Sequence, residues 1–144
     1  MKIEPVSSLK EVIPLLADCD LETSDIATSL PARFFGIRDS GTLVAVVGLE
    51  DFGSVGLLRS LAVAPACRGR GLAAKLVAFA EANAAAQGIE SLYLLTTTAA
   101  PFFSKRGYVP ASRQDAPQAI RATAQFSGLC PASSTFLSKR LASG

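Results

Sequence analysis

The stretch CRGRGLAAKL, residues 67–76, places two arginines and two glycines directly before a helix-forming run. Glycine lets backbone N–H groups face an anion with no Cβ in the way, and the start of a helix adds the positive end of its dipole. A pyrophosphate suits such a turn, and Arg68 and Arg70 would add charge to it. The same residues also suit a tight turn with solvated arginines. The stretch is not a Walker A loop, because no Gly-Lys-Ser/Thr follows. It also lacks the third glycine of the dinucleotide fingerprint Gly-x-Gly-x-x-Gly. Spacing alone leaves both readings open.

Other side chains suited to chemistry are few. The chain has no histidine, which excludes a His-based triad. Its three cysteines, Cys19, Cys67 and Cys130, lie far apart and form no Cys-x-x-Cys pair. A zinc site would lack ligands, and reduced, mostly buried thiols are the expectation. Glu50 follows VVGL at a strand end, as either a solvated acid or a general base. Arg59 stands in the apolar strand VGLLRSLAV. In a regular strand it would share a face with Leu57, Leu61 and Val63, a costly position for an unpaired charge. A bulge would rotate it away; otherwise it binds an acceptor carboxylate or forms an internal ion pair. The pair Phe102-Phe103 reads first as core packing.

These residues need elements to position them. Residues 8–30 suggest one or two short helices. RFFGIRDSGTLVAVVGL reads as strand, turn, strand, with Asp39-Ser40-Gly41 as the turn. DFGS at 51–54 is a second turn, and residues 55–63 are a third strand, giving an antiparallel meander. Beyond the glycine turn, Leu72, Leu76, Phe79 and Asn83 recur at near-helical spacing, with Gly88 as the stop. IESLYLL at 89–95 is a strand, so residues 57–95 hold a strand–helix–strand crossover. TTTAAPFFSKRG predicts a short helix with Thr98 as N-cap, Pro101 in the first turn and Gly107 at its end. YVPAS then begins a strand, 116–126 suggests a helix, and STFLSKRL at 134–141 alternates like a half-exposed strand. The expected class is α/β: a single mixed, mostly antiparallel sheet flanked by helices.

At 144 residues and 49% hydrophobic composition, one domain over 1–144 is expected, with a substantial core. No apolar run approaches the roughly 20 residues of a membrane span. The segment MKIEPVSSLKEVIPLL carries charges and prolines where an export signal would be apolar, so a cytoplasmic location without membrane attachment is the expectation. Fourteen Lys/Arg against twelve Asp/Glu leave a net charge of +2, too small to argue for a nucleic-acid partner.

The segment LAVAPACRGRGLAAKLVAFAE resembles the signature of the GCN5-related N-acetyltransferases (GNATs), Arg/Gln-x-x-Gly-x-Gly/Ala, met here by Arg68, Gly71 and Ala73. The likeness continues into TTTAAPFFSKRGY and runs over roughly residues 30–141. It implies the acyl-CoA N-acyltransferase fold and acetyl-CoA as cosubstrate, with no metal. The turn Arg68, Gly69, Arg70, Gly71 and Ala73 would hold the pyrophosphate. Strand residues Leu61, Ala62 and Val63 would bond the pantetheine arm, and Thr98 and Phe102 would complete the cofactor site. The Leu61 amide would polarise the thioester carbonyl, and Glu50 falls where the family often places a glutamate. Glu22 and Asp25 lie on the segment that usually covers the acceptor. The family's tyrosine acid falls at Phe103, which carries no proton to give; Tyr108 is a weaker candidate. GLLRSLAV, LYLLTTTAAPFF and FSGLCPASSTFLSKRL further resemble the arsenic-resistance-associated, ArsN-type acetyltransferases, close to N-acetylglutamate-synthase-like enzymes. The implied activity is direct acetyl transfer to the amine of a small amino-acid-like acceptor bound through Arg59 and Glu22. Arsenic or toxin resistance is the implied setting, and a homodimer is expected by analogy. The alternative is a non-catalytic acyl-CoA sensor.

Overall fold

A two-residue turn sets the first register. Ser40 and Gly41 both have positive φ, 52° and 84°, which matches the twist of a tight antiparallel hairpin. They join β2 (Ala32–Asp39) to β3 (Thr42–Asp51), which pair from Asp39↔Thr42 back to Ala32↔Glu50 with one irregularity between Ile37 and Arg38. The computed structural model describes residues 2–6, 9–18, 32–96, 99–123, 126 and 134–141. Glu22, Asp25, Thr98, Cys19 and Cys130 lie outside them.

The remaining elements are β1 (Ile3–Val6), α1 (Leu9–Asp18), β4 (Val55–Val63), α2 (Leu72–Ala86), β5 (Ser91–Thr96), α3 (Ala100–Ser104), β6 (Val109–Pro110), α4 (Gln118–Arg121) and β7 (Thr135–Arg140). The seven strands form one mixed sheet in the order β1-β2-β3-β4-β5-β7-β6. β4 and β5 pair in parallel, joined by α2 as the expected crossover, whereas β5 and β7 pair antiparallel. Contacts group the chain into two compact units, Met1–Glu50 with Leu58–Asn83, and Asp51–Leu57 with Ala84–Gly144.

In the first unit, α1 buries Val12, Leu15 and Leu16 against Val6, Phe34, Leu43, Val46 and Ala62. Pro14 interrupts the α1 hydrogen-bond ladder on the exposed side. Polar contacts fasten this layer. Arg38 donates from Nη1 and Nη2 to the two Glu11 oxygens, both at 2.6 Å, and from Nε to Glu4 at 2.8 Å. The guanidinium holds the Glu11 carboxyl below its ordinary range, and the carboxylates raise Arg38 in turn. β1, not read as a strand from the sequence, pairs through Ile3↔Ile37 to Val6↔Phe34. Its Pro5 is tolerated because β1 is an edge strand.

In the second unit, Leu57, Ala116, Ile120 and Phe136 form a buried cluster, with Tyr93 stacked on Phe136 at 5.5 Å. The helix expected over 116–126 is only four residues long. The Thr123 hydroxyl donates to the Ile120 carbonyl and accepts from the Phe126 amide, a local arrangement that competes with further helix. α2, whose residues up to Asn83 belong to the first unit, ends where expected: Gly88 is left-handed at φ 89°, and the Ile89 amide bonds the Ala84 carbonyl. The helix buries Leu72, Leu76, Val77, Ala80 and Ala84, so Phe79 and Asn83 flank the buried stripe instead of extending it.

Candidate active site

The glycine turn begins where β4 stops. Ala64 to Cys67 form a single tight turn, with the Cys67 amide on the Ala64 carbonyl at 2.8 Å. Arg68 reaches back, donating from Nε to the Val63 carbonyl at 3.1 Å, and so ties the turn to the strand end. Gly69 and Gly71 then take φ +84° and +75°, a region L-residues enter at a cost. A Cβ built on either glycine meets no described atom within 4 Å. The Gly71 carbonyl accepts from the Lys75 amide at 3.2 Å and opens the α2 ladder. The first amides of a helix have no intrahelical acceptor, so those of Leu72 and Ala73 are donors for whatever faces the turn. Arg68 and Arg70 are exposed beside them. The donor set therefore fits a pyrophosphate: positive φ, open space, helix-start amides and two cations.

One residue reshapes β4. Ser60 has φ 57°, left-handed for a non-glycine residue inside a strand. A Cβ on Gly48 would stand 3.0 Å from Arg59 Cγ and 2.9 Å from Phe34 Cε1, so the Arg59 stem lies on the face of the sheet that carries Phe34 of β2. Ala62 belongs to the same cluster as Phe34 and Val46. Residues 59 and 62 thus share a face, and the alternation expected of a regular strand breaks once, at Ser60. This is a bulge, and it separates Arg59 from Leu61 and Val63, its neighbours in the regular-strand expectation. A bulge also disturbs the ladder locally.

Arg59 and Glu50 meet in this region. Arg59 Nη1 donates to Glu50 Oε2 at 3.2 Å, and the two side chains are 1% and 6% exposed. Arg59 Nε donates to Ser60 Oγ at 3.0 Å. The structure thus places the Arg59 charge on an internal partner, the ion-pair alternative left open by the sequence. Glu50 is correspondingly buried at the end of β3, not solvated. Sequence reasoning assigned Ser60 no part; nothing in a lone serine signals a left-handed residue that also bonds its neighbour.

The second unit holds the remaining candidates. The α3 N-cap is Ala99 without a side-chain cap, in place of the expected Thr98, and the Ala99 amide bonds Thr96 Oγ1 at 3.0 Å. Phe102 is half-buried, with the Arg106 guanidinium 3.8 Å over its ring and Arg106 Nη1 donating to its carbonyl at 2.8 Å. Phe103 is buried, edge-on to Phe102 and to Tyr108. Tyr108 is 1% exposed, with Lys139 Nζ 5.6 Å over its ring. Burial on this scale suits a core aromatic better than a proton donor to a leaving thiolate. Among the described residues, no helix is long and apolar enough to cross a membrane.

Comparison with known proteins agrees with this geometry. Residues 31–110, more than half of the chain, match the model of the acetyltransferase (GNAT) domain. An amino-acid acetyltransferase of Ectopseudomonas mendocina is 32% identical over 122 residues, 81% of this chain and 28% of that protein. One of Ralstonia nicotianae is 35% identical over 89 residues, 60% of this chain and 20% of that protein. This chain therefore spans under a third of the length of these relatives. N-acetylglutamate synthase from Neisseria gonorrhoeae, solved with coenzyme A and N-acetyl-glutamate, superposes with TM-score 0.83 at 22% identity, covering 98% of this chain and 35% of that one. With its glycine turn, its bulged fourth strand and these matches, the chain belongs to the GNAT acetyltransferase family.

Proposed function

We propose that the chain transfers the acetyl group of acetyl-CoA to the amine of a small amino-acid-like acceptor, by direct attack within a ternary complex. The observation that carries this reading is the open, left-handed Gly69–Gly71 turn at the start of α2, tied by Arg68 to the end of a bulged strand. In this reading Arg68, Gly69, Arg70, Gly71 and Ala73 hold the pyrophosphate. Backbone groups of Leu61, Ala62 and Val63 hold the pantetheine arm, and the Leu61 amide donates to the thioester carbonyl oxygen as negative charge develops there. The amine nitrogen bonds the carbonyl carbon, the C–S bond breaks, and the sulfur leaves as thiolate. Glu50 takes the proton that the acceptor ammonium loses to become the attacking amine, directly or through a water. The second proton of that nitrogen passes to solvent as the thiolate departs. Arg59 serves this site through Glu50, whose charge it balances.

The acceptor class is supported by the relatives, which are amino-acid acetyltransferases, and by the small charge of the chain. An arsenic- or phosphorus-containing amino-acid analogue belongs to the same class. The experiment is a thiol-release screen across amino acids, such analogues, amino-acid amides, polyamines and lysine peptides. The expected outcome is turnover with a free amino acid or analogue above every amide and peptide. Amides or peptides outperforming them would overturn the acceptor class. Buried Phe103 and Tyr108 favour one other reading, an acyl-CoA sensor. Calorimetric binding of acetyl-CoA with no thiol release from any amine would establish it.

A further inference from the structure

Ser60 is the residue whose presence asks for a reason. Its φ of 57° is one that glycine adopts freely and that other residues enter at a cost. Glycine is used at the other left-handed positions of this unit nearest to it, Gly69 and Gly71. What serine adds over glycine is an oxygen, and that oxygen accepts the Arg59 Nε–H at 3.0 Å. The second edge of the guanidinium donates to Glu50 at 3.2 Å. Beneath the stem, Gly48 leaves the room that a Cβ would take, 3.0 Å from Arg59 Cγ. These contacts hold the guanidinium at Nε and Nη1, with its stem seated on a glycine, and its plane bears on the direction from which Glu50 is held.

We infer that Ser60 is a positioning residue: by fixing the plane of Arg59 it aims the Glu50 carboxylate that handles the acceptor amine. The inference rests on the acceptor role given to Glu50 above. A bulge alone would be served as well or better by glycine, so the hydroxyl is the feature that needs the role. A guanidinium without that bond keeps its charge and its pairing to Glu50 but gains freedom about its last torsions.

The test compares Ser60→Gly with Ser60→Asn. Glycine keeps the left-handed backbone and removes the oxygen; asparagine tolerates the same φ and supplies a side-chain carbonyl. Loss of a hydrogen bond to a charged group predicts that Ser60→Gly raises the acceptor KM about tenfold, with acetyl-CoA KM unchanged and only a small change in melting temperature, because glycine relieves the left-handed backbone as the buried N–H loses its acceptor. Ser60→Asn should recover part of that loss. An unchanged acceptor KM in Ser60→Gly would overturn the inference, as would a rise in both KM values together, which would mark a distorted strand. A second readout needs no substrate. The Nε–H proton of Arg59, identified by its absence in Arg59→Lys, should exchange slowly with water in the wild type and rapidly in Ser60→Gly. Equal exchange in both would also overturn it. If no amine is turned over by the wild type, the acceptor reading fails, while the exchange experiment still decides whether Ser60 holds Arg59.

Discussion

The glycine turn at 68–71 and the Glu50–Arg59 pair belong to the same unit and are linked by β4, yet they are built on opposite principles. The turn is exposed, presents backbone amides and owes its shape to residues that lack side chains. The pair is buried, acts through side chains and depends on a neighbouring strand for its partner. An exposed backbone cradle gains little stability from its own contacts, so changes there should cost binding before folding. A buried ion pair is coupled to the core, so changes there should cost folding first. The largest effect should follow from breaking the pair on one side only. Arg59→Met leaves Glu50 buried without its counter-charge and should lower stability by about 3–5 kcal/mol. Glu50→Gln combined with Arg59→Met removes both charges and should restore most of it, with turnover still lost. Urea unfolding checks both; equal loss in the single and double variants would show that the charges themselves are not the issue.

The next effect lies outside both regions and calibrates the unit that carries them. Glu11 is held below its ordinary value by Arg38, mainly through the paired hydrogen bonds. A depressed carboxylate contributes stability that is complete above its unfolded value near 4.5 and is lost as pH falls through the lower folded value. Wild type should therefore lose stability on acidification below about 4.5 more steeply than Glu11→Gln, in which that proton-linked contribution is gone. Parallel acid curves for the two proteins would contradict the clamp. The smallest effect concerns the thiols. Direct transfer needs no acetyl-cysteine, so replacing Cys19, Cys67 and Cys130 by serine together should leave kcat within about twofold, apart from a small stability cost at buried Cys67. Isolation of an acetyl-cysteine that turns over competently, or ping-pong kinetics, would contradict it.

The contrast between the two regions also explains what could be read from the chain. The turn is contiguous: Arg68 to Ala73 carry its shape in their own types, and the flanking strand and helix announce themselves by periodicity. The hairpin at Ser40-Gly41, the crossover through α2 and the stop at Gly88 were legible for the same reason. The pair was not, because Glu50 and Arg59 meet only once β3 lies beside β4. Both residues were singled out, one as a base and one as a carboxylate ligand, but their meeting depends on non-local geometry. The bulge was harder still. It rests on the left-handed φ of Ser60, a choice that tertiary contacts impose against local preference. β1 went unread because four residues with an internal proline carry too little pattern to count as a strand.

If the turn grips acetyl-CoA through its backbone, as proposed, Gly71→Val should lose the cofactor where Gly53→Val does not. Both glycines are left-handed, at φ +75° and +92°, and both have open space around a built Cβ, so the two substitutions impose comparable backbone strain. Isothermal titration with acetyl-CoA should show wild-type affinity in Gly53→Val and a loss of at least roughly a hundredfold in Gly71→Val, as expected when several amide contacts to a charged group are blocked. A folded Gly71→Val protein that binds acetyl-CoA as tightly as Gly53→Val would contradict the account.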